Sequence, residues 1–246
     1  MNKENSNLND ISNAQNQGNQ FHYNKQLDAL YKLTSNYLDA DGNCVVLINE
    51  EGSFCNAVFD KKNFNVSFVR SRNVRVIIHN CTRFTRFNFV AINSNHSLLY
   101  IGPSSRKISN LNIFFKFSKN NYCHIKEGFS CGQTEIMLSE NANVDIGEDC
   151  MFSDNVKIWN FDGHAILDEN GKCINHAKGI LIGKHVWLGK DVTISKGAIV
   201  SDGSIVGQKS LVTSKFYEPK VILGGIPAKI IRKSITWTRN PPSDFE

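Results

Sequence analysis

ILIGKHVWLGKDVTISKGAIVSDGSIVGQKSLVTSKF, residues 180–216, repeats itself every six positions. From Ile182, steps of six land on Leu188, Ile194, Val200, Val206 and Val212, all aliphatic. The residue after each is small: Gly183, Gly189, Ser195, Ser201, Gly207 and Thr213. Four places after each aliphatic comes Val186, Val192, Ala198, Ser204, Ser210 or Phe216. Neither an isolated helix nor an alternating strand has this period; a stacked repeat does. If each hexad makes one short strand and a turn, three hexads close a triangular coil of eighteen residues. The aliphatic side chain points inward and stacks on its equivalent in the next coil, while Gly or Ser beside it permits the tight turn.

The same frame appears upstream at Ile146-Gly147, Phe152-Ser153 and Ile158-Trp159, with a looser start near Ile125 and Cys131. Cys131 and Cys150 fall in the frame and read as small stacked hydrophobes. Between Ile158 and Ile182 the beat stops for NFDGHAILDENGKCINHAKG, residues 160–179. A closed coil has no cleft of its own, so a loop leaving it supplies a wall and can carry a projecting side chain.

The remaining 246-residue chain gives bounds. Residues 1–23 are Asn-, Gln- and Ser-rich and read as a disordered polar tail. Residues 24–121 hold a short amphipathic helix over Asn24–Asp39 and then short β-type runs (VVLI, VRVII, FNFVAI, LLYIG), expected as irregular or atypical capping coils. Residues 122–240 form the repeat domain, and 241–246 a tail. No apolar run reaches the length of a membrane span, and the N-terminus lacks the apolar core of a secretory signal. Seven cysteines without a C-x-x-C pair argue against a disulfide framework or zinc ribbon and for a reducing cytoplasm.

Charge is distributed unevenly. Lys61 to Lys126 contains twelve Lys or Arg and no Asp or Glu, leaving 16 basic against 23 acidic residues elsewhere. Such a run is ordinarily a solvated face, but the absence of any acid favours an anionic partner. No nucleic-acid fold or aromatic-basic motif accompanies it, so nucleic acid is not expected.

The hexads, the Asp162-Gly163-His164 loop, IGKHVWLG (182–189) and GGIPAKIIR (224–232) resemble the left-handed parallel β-helix acyltransferases. Within them the chain is similar to O-acetyltransferases of bacterial capsular and lipopolysaccharide sugars, including the polysialic acid O-acetyltransferases. The resemblance covers about residues 122–240. It implies an all-β, left-handed coil and a homotrimer with sites in the clefts between subunits. It also implies acetyl-CoA as co-substrate, an anionic polysaccharide acceptor and no metal. The expected enzyme is cytoplasmic, without a transmembrane segment, and compatible with peripheral association at a capsule-assembly complex.

Acetyl transfer to a hydroxyl needs a base, an oxyanion donor and a groove for coenzyme A. Histidine suits the first role because it titrates near working pH. By the resemblance His164 is that base, with Asp162 the local candidate to orient it and Asn155, Asn160 or Asn175 the alternatives. His176 lines the cleft or is solvated, His185 falls at an exposed turn, and His22, His79, His96 and His124 lack catalytic context. Trp187 matches a tryptophan lining the acceptor and thioester site, where its backbone N–H or a neighbour's would meet the oxyanion. Motif matching assigns Gly189, Lys190 and Gln208 to the pantetheine arm. It assigns Thr213, Lys215, Lys229 and Arg232 to the nucleotide end. A serine is inserted in Val212-Thr213-Ser214-Lys215, and Gln208 with Lys209 narrows the groove. Acceptor contacts are expected from Arg72, Arg75, Arg83, Arg86, Asn160 and Asn175. Three other readings compete: an N-acetyltransferase of a nucleotide-linked amino sugar, a non-catalytic carbohydrate-binding β-helix, and a γ-carbonic-anhydrase-type zinc enzyme, whose H-x4-H pair is missing.

Overall fold

Residues that alternate inward aliphatics with outward polar groups can only bury one face of a strand, and here they do so by coiling. The computed structural model describes residues 25–57 and 62–245. The polar tail expected over 1–23 lies outside them. The chain divides into two units, residues 1–33 and 34–246. Of the first, the described part is the helix Lys25–Leu33, with a Lys32–Asp28 ion pair at 2.9 Å one turn apart. A 3-10 turn, Thr34–Tyr37, follows where the sequence suggested further helix.

The second unit is a stack of parallel coils. Leu181 pairs with Ile199, Trp187 with Ile205, and Thr193 with Leu211, each partner eighteen positions on. Three walls therefore close once per three hexads. On one wall Ile78, Ile101, Ile125, Ile146, Ile182, Val200 and Phe216 lie in register. A second wall stacks Ile108, Cys131, Phe152, Leu188, Val206 and Leu223. The third stacks Phe89, Ile113, Ile136, Ile158, Ile194 and Val212. The six aliphatic positions of the opening stretch are all fully buried. Burial also pushes the Cys131 and Cys150 thiols up to about 12, as inert packing groups.

The ladders cross residue 122 without a break and continue up to Cys44–Ile48. These upstream coils are longer than eighteen residues and uneven: Cys44 pairs with Arg75, 31 positions on, Phe64 with Phe87, 23 on, and Phe87 with Leu111, 24 on. A longer coil encloses a wider interior, and phenylalanine fills it. Phe89 and Phe115 meet edge to face at 5.1 Å, and Phe129 and Phe152 at 5.0 Å. At each end of the stack one wall is extended by an antiparallel strand, Phe54–Asn56 on Cys44–Ile48 and Ala228–Arg232 on Ile222–Gly225. Each pairs one strand edge that would otherwise template pairing with another chain.

The small residue after each aliphatic is explained by approach between coils. A Cβ on Gly147 would lie 2.5 Å from the Gly183 carbonyl carbon, and one on Gly189 2.7 Å from the Gln208 nitrogen. The left-handed backbone that turns each corner falls two residues later, on Asp149, Asn155, His185, Asp191, Gly197, Gly203 and Lys209. No helix among the described residues is long and apolar enough to cross a membrane.

Candidate active site

Across the interruption the register jumps: Val144 pairs with Ile180, Met151 with Trp187 and Lys157 with Thr193, each 36 positions on. The loop thus adds eighteen residues at one corner while the walls keep their alignment. Asn160 fixes its departure. This residue is fully buried; its amide donates to the Ala142 carbonyl at 2.9 Å and its oxygen accepts from the Ser139 N–H at 2.9 Å. Both ends being used inside the coil, Asn160 does not reach an acceptor. The return is closed by the Lys178 N–H on the Asn160 carbonyl at 3.0 Å.

His164 stands exposed on the first turn of the loop, and among the described residues no hydrogen bond engages its imidazole. Asp162 does not orient that ring. Its carboxylate accepts from the ammonium of Lys196, on the next coil, and from the Asn175 amide at 2.8 Å. The Lys196 bond, followed by the Asn175 bond, holds Asp162 below the usual carboxylate range despite some burial. Asn175 also donates to the His164 carbonyl at 2.9 Å and accepts from the Ile166 N–H at 2.7 Å. Lys196 donates to the Asn175 carbonyl at 2.9 Å. Asp162, Asn175 and Lys196 therefore brace the main chain that carries His164. Neither Lys196 nor this role for Asn175 was anticipated, since Lys196 is an ordinary hexad turn lysine in the sequence. Asn155, the remaining alternative, bonds Asp191 at 2.8 Å along a corner. His176 is exposed and lies 3.1 Å from Glu140.

Trp187 sits on another wall, after the corner Gly183–Val186, whereas the loop leaves the corner after Trp159. Among the described residues no hydrogen bond, ion pair or ring contact joins the two. The Trp187 backbone N–H is committed to the Ser204 carbonyl at 3.0 Å, so it is not free to meet an oxyanion. Its indole N–H is buried and, among the described residues, has no hydrogen-bond partner.

The corner beside Trp187 is covered by the C-terminal segment, which runs back along the stack. The Ile235 N–H donates to the Lys220 carbonyl at 2.9 Å. Trp237 stacks on His185 with centroids 4.0 Å apart and lies 5.9 Å from Trp187. Arg239 donates to the Asp149 carboxylate at 3.1 Å and to Ser130 at 2.8 Å. His185 is accordingly not a solvated turn residue: Nδ1 lies 2.7 Å from Asp149 and Nε2 3.0 Å from the Trp237 carbonyl. Burial raises the Asp149 pKa, but the bonds from His185 and Arg239 outweigh it and hold the carboxyl below its ordinary range. Next to this strap is an open cavity of about 550 Å³ whose lining includes Arg106, Lys107, Arg239, Ser109, Ser130 and Asp154.

The basic residues of the sequence separate accordingly. Arg75 is buried, 4% exposed, and donates to the Gly42 carbonyl, so it does not contact an acceptor. Arg72 is exposed and 3.8 Å from Asp41. Arg83 and Arg86 are exposed. The cationic cavity uses Arg106 and Lys107 from the acid-free run, together with Arg239 from far outside it.

The residues matched to coenzyme A are exposed except Gly189, which is half-buried. Gly189, Lys190 and Gln208 share one corner of adjacent coils, the Lys190 carbonyl accepting from the Lys209 N–H at 2.8 Å. Thr213 and Lys215 lie at the loop's own corner, where the Ser214 carbonyl accepts from the Ile199 N–H at 3.3 Å. Lys229 and Arg232 are on the return strand, opposite Gly224 and Ile222.

No family model matches the chain. A polysialic acid O-acetyltransferase of Neisseria meningitidis is 33% identical over 172 residues, 70% of this chain and 78% of the relative. A polysialic acid O-acetyltransferase of Escherichia coli O1:K1 / APEC is 40% identical over 110 residues, covering 44% of this chain and 36% of that one. Among solved structures, the polysialic acid O-acetyltransferase OatWY superposes with a TM-score of 0.58 at 30% identity, over 72% of this chain and 92% of its own. The chain therefore belongs to the family of these polysialic acid O-acetyltransferases, left-handed parallel β-helix enzymes built of hexapeptide repeats, and is itself an O-acetyltransferase.

Proposed function

We propose that the protein transfers an acetyl group from acetyl-CoA to a hydroxyl of an anionic capsular polysaccharide, polysialic acid being the acceptor named for its relatives. The observation that carries this reading is the braced loop. Asp162, Asn175 and Lys196 fix the backbone at His164 and leave its imidazole uncommitted and exposed. In the proposed step the imidazole removes the proton of the sugar hydroxyl, whose oxygen attacks the thioester carbonyl carbon. The indole N–H of Trp187 donates to the resulting oxyanion. The C–S bond then breaks, and the imidazolium returns its proton to the departing thiolate.

His164 and Trp187 occupy different corners of one chain, so a site holding both needs a neighbouring copy. This supports a homotrimer with sites between protomers. The cavity holds Lys107 beside Arg106 and Arg239, which both pair with Asp149, and this cationic lining supports contact with an anionic group of the acceptor. The small and cationic residues from Gly189 to Arg232 would border coenzyme A across adjacent corners. Seven free thiols suit a reducing, cytoplasmic setting.

The test is release of coenzyme A from acetyl-CoA in the presence of polysialic acid, a second anionic capsular polymer and a neutral one. Transfer to polysialic acid that falls about 10²–10⁴-fold in His164→Ala, at unchanged thermal stability, is expected. Full activity in His164→Ala rejects the mechanism, and equal use of the neutral polymer rejects the anionic acceptor.

A further inference from the structure

The wide coils present a flat outer wall that ends at the base of the catalytic loop, and the role described so far does not use it. Three rows of side chains run along it, in register from coil to coil. One row is Asn65, Asn88, Asn112, Glu135 and Lys157. Beside it run Arg86, Asn110 and Gln133, and on the other side Val90, Phe114, Met137 and Trp159. Trp159 is the last strand residue before Asn160, where the loop departs. All these side chains are exposed or half-buried.

We infer that this wall is an extended subsite for the anionic polysaccharide chain, leading it toward His164; the inference rests on the acceptor class proposed above. Its chemistry is that of a sugar-binding surface. The amides of Asn65 and Asn88 bond at 2.6 Å and those of Asn112 and Asn110 at 3.0 Å. An amide offers four hydrogen-bonding positions, so each ladder member keeps groups for sugar hydroxyls. Phe114 and Trp159 supply apolar ring surface for the faces of sugar rings. Lys116 stands 5.7 Å from the Phe114 ring and Lys157 5.8 Å from the Trp159 ring, placing cations beside the aromatic row.

Charge complementarity selects the occupant. Arg86, Lys116 and Lys157 face a single wall carboxylate, Glu135, which already accepts from the Trp159 indole N–H at 3.0 Å. A neutral polymer would have no use for this imbalance, and a second copy of the chain would have to bury its cations unpaired. From Asn65 to Lys157 there are four steps between coils, about 19 Å at the usual strand spacing. That span holds several sugar units, so the wall acts on long acceptors and is indifferent to short ones.

The experiment uses the full chain and its Asn88→Ala/Asn112→Ala and Phe114→Ala/Lys116→Gln variants. Acetyl transfer is measured with a short sialic acid oligomer and with long polysialic acid, and binding of the long polymer is measured separately without acetyl-CoA. The expected result is a KM for the long polymer raised about tenfold, the equivalent of ~1.4 kcal/mol, with kcat/KM for the short oligomer unchanged. Long-polymer binding weakens in parallel. Equal losses on both acceptors, or a change in oligomer mass, overturn the inference by making the wall structural or an interface. Unchanged long-polymer KM also overturns it. If wild type acetylates neither acceptor, the proposed reaction fails on its own, and the binding arm still decides the wall: polymer bound by wild type and not by the variants upholds it, and no binding overturns it.

Discussion

The imidazole of His185 and the indole of Trp237, 52 positions apart, stack with centroids 4.0 Å apart and planes 11° from parallel. The Trp237 indole N–H returns a bond to the His185 carbonyl at 2.9 Å, so the strap is fastened to a corner by ring and main chain together. Trp187 packs against the same indole.

Removing that indole by Trp237→Ala should cost about 3 kcal/mol, the usual range for emptying a buried aromatic site. It should also release Trp187 and lower kcat more than His185→Gln does. Chemical denaturation alongside steady-state kinetics checks both. Wild-type stability in Trp237→Ala would show that the strap is not fastened in solution.

Asp162 gives a pH dependence of definite sign. Its folded-state pKa is depressed, chiefly by Lys196, so the brace is complete above the ordinary carboxylate value of 3.8. It is lost as pH falls through the lower folded value. The pair is partly exposed, Asp162 by 40% and Lys196 by 20%, and its effect on global stability is small. The expected signature is local: Asp162→Asn exposes loop 160–179 to protease at neutral pH, where wild type resists. Wild type becomes equally sensitive only in acid.

Gly147→Ala is expected to destabilise by about 1–3 kcal/mol, because the added Cβ meets backbone atoms of Gly183 and Lys184 at 2.5 Å. Gly163→Ala has open space around it and is strained only through its φ of +90°, so its cost is smaller and confined to the loop. Thermal melts of the two variants side by side provide the comparison.

Asn160→Ala leaves the Ser139 N–H and the Ala142 carbonyl without their side-chain partner inside the coil. A loss of about 2 kcal/mol is expected, with kcat reduced because the loop's point of departure is loosened. Asn160→Asp restores an acceptor but not the donor, and recovers only part of either property. Urea titration and initial rates on the pair measure this.

Residues 180–216 were readable because an eighteen-residue coil is a whole number of hexads, so each inward position recurs on a fixed beat. The upstream coils take 23, 24 and, from Cys44 to Arg75, 31 residues and are built from strands as long as Ile108–Ile125, lengths with no six-step signature. Their repeat exists only in the pairing of distant segments. His164 could be singled out because it sits where the beat breaks, but its supports could not. Lys196 occupies a turn position like any other lysine, and Asn160 differs from an exposed loop asparagine only in burial. Arg75 looked like part of an exposed basic run because nothing local reveals what covers a strand. The strap escaped notice for the same reason: Trp237 and Arg239 form no period, and their partners lie 52 and 90 positions away.

The 36-position register across the loop has a mechanical consequence. Strands on both sides of the insertion are tied into ladders with coils above and below, so the loop bears no part of the load that holds the stack together. A nick at the exposed Asn170-Gly171 turn would leave two fragments stacked end to end, joined by the three ladders across the insertion and by Arg239 on Asp149. Such a nicked protein should melt as one body and yet have lost the fixed placement of His164, separating the enzyme's architecture from its chemistry by a single cut.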